Sequence, residues 1–302
     1  MLVVLTHGGA GSARADHDGP DAAAQRGLER LRAGDLPLEA AVEACRVLED
    51  DERFNAGTGS NLRFDGKTIE MDASCMAETG AFGAVACIQD IRHPIDVARA
   101  VLDTPHNLLA GIGATAYARK IGAPVYNPWT QRAQDKLDRL RAKVRALKFE
   151  PDECAWDIAK LREAWNFETP FHEVLGPQDT VGAVASDGRG HFAATLSTGG
   201  TMSTLLGRVG DVPLIGCGLM AGPSGALCVT GDGDSLARDR IAGRAYAWLE
   251  DGLDAAAVRD RTIARFPHHV DVGIIVIDAQ GGHAGGSNRD MAWSARSAEA
   301  QT

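Results

Sequence analysis

Three threonines stand at the edges of glycine-containing strand segments: Thr180 in "DTVGA", Thr198 in "STGGT" and Thr230 in "VTGDG". A threonine hydroxyl becomes a nucleophile when a nearby base removes its proton. Threonine is also common in strands, so the three residues alone indicate a shared site only weakly. The chemistry that they suggest is covalent catalysis by a threonine hydroxyl.

The sequence offers no convincing histidine base for such a nucleophile. The nine histidines are scattered apart from the adjacent His268 and His269, and neither H-E-x-x-H nor G-x-S-x-G is present. His7, in "HGGAGS", is interpreted as a hydrogen-bonded structural residue rather than a base. The free α-amine of an N-terminal threonine can act instead, because its unperturbed pKa of about 7.7–8.0 lies close to working pH. That chemistry requires the Asp179–Thr180 bond to be cut first.

Arg208 and Asp211 lie three residues apart in the glycine-rich segment "GRVGDVPLIGCG". A guanidinium fork suits a carboxylate, and an aspartate accepts hydrogen bonds from an ammonium group. The two side chains are therefore candidates for binding the two ends of an amino-acid zwitterion. The alternative is a surface ion pair, which contributes little by itself.

Other glycine-rich segments match established motifs poorly. "HGGAGS" fits neither G-x-G-x-x-G nor G-x-x-x-x-G-K-[ST], so a nucleotide site is not predicted. "GDGDSLARDR" departs from the calcium-loop pattern at its glycine and glutamate positions. The six cysteines show no C-x-x-C and no metal-ligand spacing, and we interpret them as reduced residues that fill the core.

The composition is that of a globular protein of one large domain or two ordinary ones, with 302 residues, 44% hydrophobic and 24% charged. A net charge of −10 argues against a general nucleic-acid binder. No apolar run approaches the roughly 20 residues that span a bilayer, and "MLVVLTHGGAGS" resembles a first strand rather than a signal peptide. The predicted location is the cytoplasm, and neither nucleic acid nor membrane is a predicted partner.

Strands and helices are predicted in both halves of the chain. A short strand over 2–6 precedes helices over 20–33 and 37–51, where apolar residues recur at helical spacing. A strand over 81–88 and a helix over 93–103 follow. The second half has four strand segments, "VGAVASD", "HFAATLST", "LCVTGDGD" and "VGIIVIDAQ", and two helices, near 234–250 and 254–265. The echo of "GAVACI" in "GAVASD" suggests two similar sheets.

Residues 129 to about 168 differ from both halves. "TQRAQDKLDRLRAKVRALK" carries seven Lys/Arg against two Asp, with Leu137, Leu140, Val144 and Leu147 on one helical face. This pattern predicts an amphipathic helix rather than a flexible linker. Its basic side is interpreted as a solvated face, because a nucleic-acid or membrane patch is poorly supported in an acidic chain.

Seven motifs, in this order, resemble the threonine-dependent N-terminal-nucleophile hydrolases of the plant-type asparaginase and isoaspartyl peptidase family. The resemblance covers nearly everything except 125–178 and the last few residues. The motifs are "HGGAG" (7–11), "FNAGTGS" (54–60), "MDAS" (71–74), "GAVA" (83–86), "DTVGAVASDGRGHFAATLSTGG" (179–200), "GRVGDVPLIGCG" (207–218) and "TGDGD" (230–234).

The resemblance implies an α+β fold, a four-layer αββα sandwich, made as an inactive precursor. Residues 1–179 would form the α-subunit portion of one such domain, with a helical insert over about 129–179. Residues 180–302 would form the β-subunit portion, which begins at the nucleophile. The implied activity is hydrolysis of β-aspartyl dipeptides, L-asparagine or both, with release of L-aspartate.

The family's catalytic roles fall on matching positions of this sequence. Thr180 Oγ would attack the Asp179 carbonyl and, once freed, would use its own α-amine as base. Thr198 would hold and polarise the Thr180 hydroxyl. The Thr230 hydroxyl and the Gly231 N–H would form the oxyanion hole.

The remaining roles concern substrate and surroundings. Arg208 and Asp211, with Gly231 and Gly233, would bind the α-carboxylate and α-ammonium of the substrate, and Asn55 would lie close to the nucleophile. The resemblance further implies a homodimer of αβ units. It also implies a structural sodium ion held by main-chain carbonyls of Leu48, Glu49, Asp51, Phe54, Ala56 and Thr58.

Two departures keep alternatives open. Asp179 stands where the asparaginase branch usually has Gly, and Asp179 and "TGDGD" look more like the glycosylasparaginase branch, whereas "HGGAG" points to the asparaginase branch. The insert before Thr180 is predicted to be helical, where relatives commonly have a poorly ordered linker. If it packed over the site, it would restrict the size of the leaving group. Glycosylasparaginase activity is therefore one alternative, and an uncleaved, non-catalytic relative is another.

Overall fold

The strands consist of small and branched apolar residues that are buried along their whole length. In the computed structural model, which describes residues 1–145, 163–166 and 180–299, every residue of Val181–Ser186, Phe192–Thr198 and Val272–Asp278 is buried. A strand buried on both faces must lie between two layers. The sheets are therefore covered on both sides.

Eleven strands of the described chain form two sheets. The strands are β1 (Leu2–Ala10), β2 (Met71–Ala77), β3 (Phe82–Ile88), β4 (Leu108–Ala110), β5 (Val181–Ser186), β6 (Phe192–Thr198), β7 (Leu219–Gly222), β8 (Gly225–Gly231), β9 (Val272–Asp278), β10 (His283–Ser287) and β11 (Met291–Ala298). The larger sheet has the order β11-β1-β5-β6-β2-β3-β4, and the smaller has the order β10-β9-β8-β7. Apart from the parallel pair β3–β4, neighbouring strands run antiparallel.

The helices pack on the outer faces of the two sheets. The α-helices within the described ranges are α1 (Asp18–Arg32), α2 (Pro37–Asp50), α3 (Pro94–Val101), α4 (Gly111–Lys120), α5 (Gln131–Arg145), α6 (Gly233–Asp239), α7 (Ile241–Glu250) and α8 (Ala255–Ala264). α1, α2 and α3 contact the larger sheet, and α7 and α8 contact the smaller one. Among the residues described, no helix is long and apolar enough to cross a membrane.

The apolar core divides into three clusters, one for each junction between layers. Alternation along β1 shows the division, because successive side chains of a strand point to opposite faces. Leu2 and Val4 belong to the cluster under α1 and α2, whereas Val3 and Leu5 belong to the cluster between the sheets. A third cluster lies between the smaller sheet and α7 and α8. The order of layers is therefore helix, sheet, sheet, helix, and the predicted αββα sandwich is confirmed.

The predicted α-subunit portion (1–179) and β-subunit portion (180–302) both contribute strands to the larger sheet. β1 pairs with β5 on one side and with β11 on the other, and β2 pairs with β6. The position between 179 and 180 therefore lies inside one folding unit. Residue 179 itself, like most of the predicted insert from 146 to 179, lies outside the described residues.

Most of the predicted elements form, and one is divided. The helix predicted near 234–250 is interrupted at Arg240, which has a φ of 54° and separates α6 from α7. A left-handed residue cannot continue a right-handed helix. α5 accounts for the first part of the predicted amphipathic insert, and Leu137 and Leu140 are buried as expected. Five cysteines are buried and free, as predicted, while Cys154 lies outside the described ranges.

Candidate active site

Thr180 stands immediately before β5, in the middle of the larger sheet. Its side chain is nearly buried, with 6% of the residue exposed. The site comprises a small pocket lined by Thr180 together with Thr198, Gly200, Thr201, Arg208, Gly210, Asp211, Val212, Gly231 and Gly233. We call this the Thr180 pocket. Five other residues that were assigned to the site from the sequence therefore line this pocket with Thr180. They are Thr198, Arg208, Asp211, Gly231 and Gly233.

Thr198 is brought beside Thr180 by the pairing of β5 with β6. Val181 pairs with Ser197 in an antiparallel register, so the start of β5 and the end of β6 adjoin. The Thr198 hydroxyl oxygen accepts a hydrogen bond from the Gly200 N–H at 3.1 Å. Because this oxygen accepts from the backbone, its own proton points elsewhere. Thr198 is thereby suited to hold a neighbouring hydroxyl.

Thr230 and Gly231 arrive from the other sheet, at the end of β8. Gly231 lines the Thr180 pocket and has a φ of +138°. A Cβ there would lie 1.9 Å from the Asp271 carbonyl oxygen, so only glycine fits. Thr230 is fully buried behind this position, and its hydroxyl oxygen accepts from the Ala10 N–H at 3.2 Å. Gly231 therefore lines the Thr180 pocket, whereas its neighbour Thr230 is buried and is not among the lining residues.

Asp211 is a buried carboxyl group on the wall of the Thr180 pocket. Burial raises its pKa to about 7, against the opposing effect of Arg208. Its Oδ2 atom has no hydrogen-bond partner among the described residues. A buried carboxylate without a donor is unfavourable, and an incoming ammonium group would supply both charge and donors.

Arg208 is held by a residue that the sequence analysis missed. Its Nη2 and Nε atoms donate to Asp234 Oδ2 at 2.9 and 3.2 Å. Within the described residues, the ion pair of Arg208 is therefore formed with Asp234 and not with Asp211. Gly233 lies between the two candidate binding groups, since a Cβ there would be 2.6 Å from Asp211 Oδ1 and 2.9 Å from Arg208 Nη2. The second aspartate of "TGDGD" was the available signal for Asp234.

Asn55 lies behind the Thr180 pocket rather than in its lining. Its Oδ1 accepts from the Asn61 N–H, and its Nδ2 donates to the Gly200 carbonyl, both at 2.8 Å. A Cβ on Gly199 would lie 2.6 Å from Asn55 Oδ1. Asn55 thus fixes the 199–200 turn that follows Thr198, and it lines a second, larger pocket on the far side of that turn.

His7 has the structural character that the sequence indicated. It is completely buried, and its Nδ1 accepts from the Gly9 N–H at 3.1 Å. Burial lowers its pKa to about 3, although contact with the Thr180 backbone opposes this. An imidazole that stays neutral at working pH and has so low a pKa is a weak general base. The base for Thr180 must be another group.

A buried charged cluster supports the loop that carries Arg208. Arg63, completely buried, donates to the Thr201 carbonyl at 2.5 Å and to Thr204 Oγ1 at 3.1 Å, and its Nε lies 3.5 Å from Glu70. Glu70 in turn accepts from the Gly207 N–H at 2.9 Å. Neither residue was predicted from the sequence, because an isolated Arg and Glu give no signal of burial.

Asp72 belongs to the same buried region, directly beside Thr198. It pairs with Thr198 across β2 and β6, and it accepts from the Cys87 N–H at 2.7 Å. Burial raises its pKa to about 6, with Arg63 and Arg208 opposing. "MDAS" marked this position in the sequence but indicated no role.

The loop from Leu48 to Thr58 turns back on the end of α2. The carbonyl oxygens of Leu48, Asp51 and Phe54 each accept an N–H from within the loop, and the Ala56 carbonyl accepts the N–H of Gly59 just beyond it, at 3.0 to 3.3 Å. Gly57, with a φ of +49°, comes so close to the Glu49 carbonyl oxygen that a Cβ would lie 2.4 Å from it. A carbonyl oxygen has two lone pairs. These oxygens therefore keep acceptor capacity of the kind that a hard cation requires.

The four-layer fold, with a threonine-lined pocket at the start of a central strand, is that of the N-terminal-nucleophile class of hydrolases. A family model described as asparaginase matches residues 1–302. A plant-type L-asparaginase from Pyrococcus horikoshii is 38% identical over 292 residues, covering 93% of this chain and 91% of that protein. The chain belongs to the asparaginase family.

Relatives from animals extend the comparison. An isoaspartyl peptidase/L-asparaginase from Danio rerio is 34% identical over 307 residues, which is 98% of this chain and 92% of the relative. A protein of the same name from Homo sapiens is 34% identical over 305 residues, which cover 97% of this chain and 92% of that protein. The resemblance inferred from motifs is therefore confirmed, and the chain is a hydrolase.

Proposed function

We propose that this chain is a self-cleaving amidohydrolase that releases L-aspartate from β-aspartyl peptides and from L-asparagine. The observation that carries the proposal is the composition of the Thr180 pocket. A threonine at a strand start shares it with a second threonine, a glycine, an arginine and a buried carboxyl group whose Oδ2 atom has no hydrogen-bond partner among the described residues. The names of the relatives, asparaginase and isoaspartyl peptidase, support the same activity.

The first chemical step is activation. Thr180 Oγ attacks the carbonyl carbon of Asp179, the Oγ–C bond forms, and the C–N bond to the Thr180 nitrogen breaks as that nitrogen takes the proton. Water then hydrolyses the ester. The products are a chain that ends in a carboxylate at 179 and a chain that begins with the Thr180 amine and hydroxyl.

The second stage is turnover by the freed terminus. The Thr180 amine takes the hydroxyl proton while Oγ attacks the side-chain amide carbon of the substrate, and Thr198 orients that hydroxyl. The Gly231 N–H and the Thr230 hydroxyl stabilise the oxyanion. The amine then gives its proton to the leaving nitrogen, and water hydrolyses the β-aspartyl ester. Oγ recovers its proton, and the cycle is complete.

The groups of the Thr180 pocket recognise the aspartyl half of the substrate. Arg208 binds the α-carboxylate, and Asp211 accepts from the α-ammonium, with Gly233 leaving room between them. Because these contacts ignore the leaving group, asparagine and β-aspartyl peptides can share one mechanism. N4-(β-N-acetylglucosaminyl)-L-asparagine is the second candidate substrate, since Asp179 and "TGDGD" favour the glycosylasparaginase branch.

Two further parts of the proposal concern the assembled protein. We place a structural sodium ion in the Leu48–Thr58 loop, where the main-chain oxygens of Leu48, Glu49, Asp51, Phe54, Ala56 and Thr58 would hold it. We also expect a homodimer of αβ units located in the cytoplasm.

The sodium site is tested by comparing the Tm of the protein in sodium chloride with its Tm in choline chloride of equal ionic strength. A bound ion raises Tm as its concentration increases. An identical Tm in both salts rules out the sodium site.

The nucleophile is tested by Thr180→Ala. We expect the wild type to resolve into two bands on a denaturing gel, and the variant to remain a single chain of 31.8 kDa. Turnover should fall by about 10⁴-fold or more, the scale seen when a nucleophile is removed from a catalytic unit. Aspartate release from asparagine, a β-aspartyl dipeptide and the glycosylated asparagine is measured for both. Aspartate production by Thr180→Ala at the wild-type rate would refute the assignment.

A further inference from the structure

Arg208 is the last residue of a tight turn that begins at Leu205. The turn is closed by the Arg208 N–H, which donates to the Leu205 carbonyl at 3.1 Å. Gly207 is its third residue and has a φ of +81°. A type II turn requires a positive φ at this position, and glycine supplies it without strain. The direction in which the chain enters Arg208 is therefore set by the 205–208 turn.

The central peptide unit of the 205–208 turn consists of the Leu206 carbonyl and the Gly207 N–H. Type I and type II turns differ mainly by a rotation of this unit through roughly 180°. A residue with a Cβ at the third position favours the type I orientation, whereas glycine permits both. Contacts from outside the turn must therefore decide which orientation is populated.

Two side chains hold this peptide unit. The Gly207 N–H donates to Glu70 Oε2 at 2.9 Å, and the Leu206 carbonyl accepts from Asn166 Nδ2 at 3.0 Å. In a trans peptide the N–H and the C=O point in opposite directions, so the two partners approach the unit from opposite sides. Rotation of the unit would break both hydrogen bonds. Glu70 and Asn166 together therefore stabilise the observed orientation.

Asn166 is itself fixed by its surroundings. Its Oδ1 atom accepts from the Leu206 N–H at 2.9 Å, so its amide pairs with both backbone groups of one residue. The neighbouring Trp165 is partly buried against the cluster under α1 and α2. There its ring meets the buried Phe64 ring edge to face, with 6.2 Å between the ring centres. Trp165 thus anchors the segment that presents Asn166 to the turn.

These contacts join the two predicted portions of the chain. Glu70, Trp165 and Asn166 precede the proposed cleavage point between 179 and 180, whereas the 205–208 turn follows it. After cleavage, the orientation of the peptide before Arg208 would depend on side chains of the other chain. The α-subunit portion would thereby contribute to a binding group that the β-subunit portion carries.

We propose that Asn166 is a positioning residue of the substrate site, which keeps the 205–208 turn in the orientation that lets Arg208 bind the substrate α-carboxylate. The proposal rests on the proposed function, which gives Arg208 this role. Asn166 is not among the residues that line the Thr180 pocket. It acts through Arg208, so its loss weakens binding and leaves the chemistry at Thr180 unchanged.

The first test removes the amide. Asn166→Ala should raise KM for asparagine and the Kd of L-aspartate about three- to tenfold, the scale of one or two hydrogen bonds, while kcat stays within about twofold. Titration calorimetry gives the Kd, since L-aspartate carries the same α-carboxylate. The matched control is Asn107→Ala, at an exposed asparagine before β4, which should leave all three constants unchanged. An unchanged Kd in Asn166→Ala overturns the proposal.

The second test perturbs the turn without removing a side chain. Gly207→Ala disfavours the φ of +81°, and a Cβ there meets nothing within 4 Å, so its effect comes from the backbone alone. We expect the Kd of L-aspartate to rise at least as much as in Asn166→Ala. Gly80→Ala is the matched control, because Gly80 has a φ of +85° and equally open surroundings between β2 and β3. A wild-type Kd in Gly207→Ala would contradict the proposal.

A double-variant comparison shows whether Asn166 acts through Arg208. Asn166→Ala is added to Arg208→Lys, and kcat/KM for asparagine is measured in both. Because the guanidinium that the turn directs is then absent, the added substitution should lower kcat/KM by less than about 1.5-fold. A loss as large as in the wild-type background would mean that Asn166 acts on the fold as a whole, and the proposal would be wrong.

Failure of this proposal and failure of the proposed function give different results. If the wild type releases no aspartate from asparagine, the proposed function is refuted, and the Kd of L-aspartate still decides the role of Asn166. If the wild type turns over asparagine and Asn166→Ala matches it in KM and Kd, only the role of Asn166 is refuted. A wild type that does not bind L-aspartate overturns the positioning role as well.

Discussion

The two candidate binding groups of the Thr180 pocket are held in different ways. Asp211 is 4% exposed and its pKa is raised to about 7 by burial, whereas the turn before Arg208 is held by the exposed Asn166. Buried charges act at short range in a medium of low dielectric constant, and exposed hydrogen bonds compete with water. The first arrangement is suited to holding one ligand group in a fixed position. The second makes binding depend on a distant segment of the chain.

The largest effect is expected at Asp211. Asp211→Asn removes the partner of the substrate ammonium, and loss of one member of a buried charge pair costs roughly 2–5 kcal/mol. We expect kcat/KM for asparagine to fall by about 30-fold or more. Initial rates over a range of substrate concentrations measure this. A change of less than about threefold would show that Asp211 does not bind the ammonium group.

Asp211→Asn, which should lower activity, should raise the stability of the folded protein at high pH. Because the pKa of Asp211 in the folded protein is about 7, above its ordinary value, the folded state keeps a proton that the unfolded state has lost. Asp211 and Asp72, whose pKa is about 6, therefore lower the free energy of unfolding as pH rises from about 4 to about 7.

Thermal melting at pH 8 and pH 4.5 tests this linkage. Asp211→Asn should raise the unfolding free energy at pH 8 by about 1–4 kcal/mol, and the gain should shrink toward pH 4.5. A lower Tm than wild type at pH 8 would mean that the carboxylate is stabilised in the ligand-free protein.

An intermediate effect is expected at Gly233. Gly233→Ala inserts a Cβ 2.6 Å from Asp211 Oδ1, so both binding groups must shift. We expect KM for asparagine to rise about tenfold, since a misplaced contact costs roughly 1–3 kcal/mol. Gly113→Ala, on α4 with nothing within 4 Å, is the matched control and should leave KM unchanged. Equal KM values in the two variants would show that the space at Gly233 is not used by the substrate.

The smallest effect is expected from ionic strength. Raising choline chloride from about 0.05 to 0.5 M at constant sodium shortens the Debye length to a few ångströms. We expect KM for asparagine to change by less than about twofold, because buried and partly buried charge pairs are screened only weakly. A rise of more than about threefold would show that salt reaches Arg208 and Asp211, and it would remove the distinction between their contacts and the exposed contact of Asn166.

The fold was largely predictable because each layer leaves a periodic pattern in the sequence. Val3 and Leu5 alternate with Leu2 and Val4 along β1, and the order of strands and helices follows from such segments. The break at Arg240 was not predictable, because its left-handed conformation comes from the junction of α6 and α7 rather than from a glycine or proline. Thr180 and the five other predicted lining residues of its pocket were predictable only because they lie within recognisable motifs, whereas Thr201 lies outside those motifs.

The sequence by itself determined the candidate groups: Thr180 at a strand start, Thr198 and Gly231 at strand ends, and Arg208 with Asp211 in one loop. Residue type and local spacing suffice for this. Tertiary structure alone decided that Arg208 pairs with Asp234, that Arg63 and Glu70 are buried beneath its loop, and that α5 lines a pocket together with Asn55 and Met202. The reason is that pairing and burial depend on which distant segments meet, and no local pattern records those meetings.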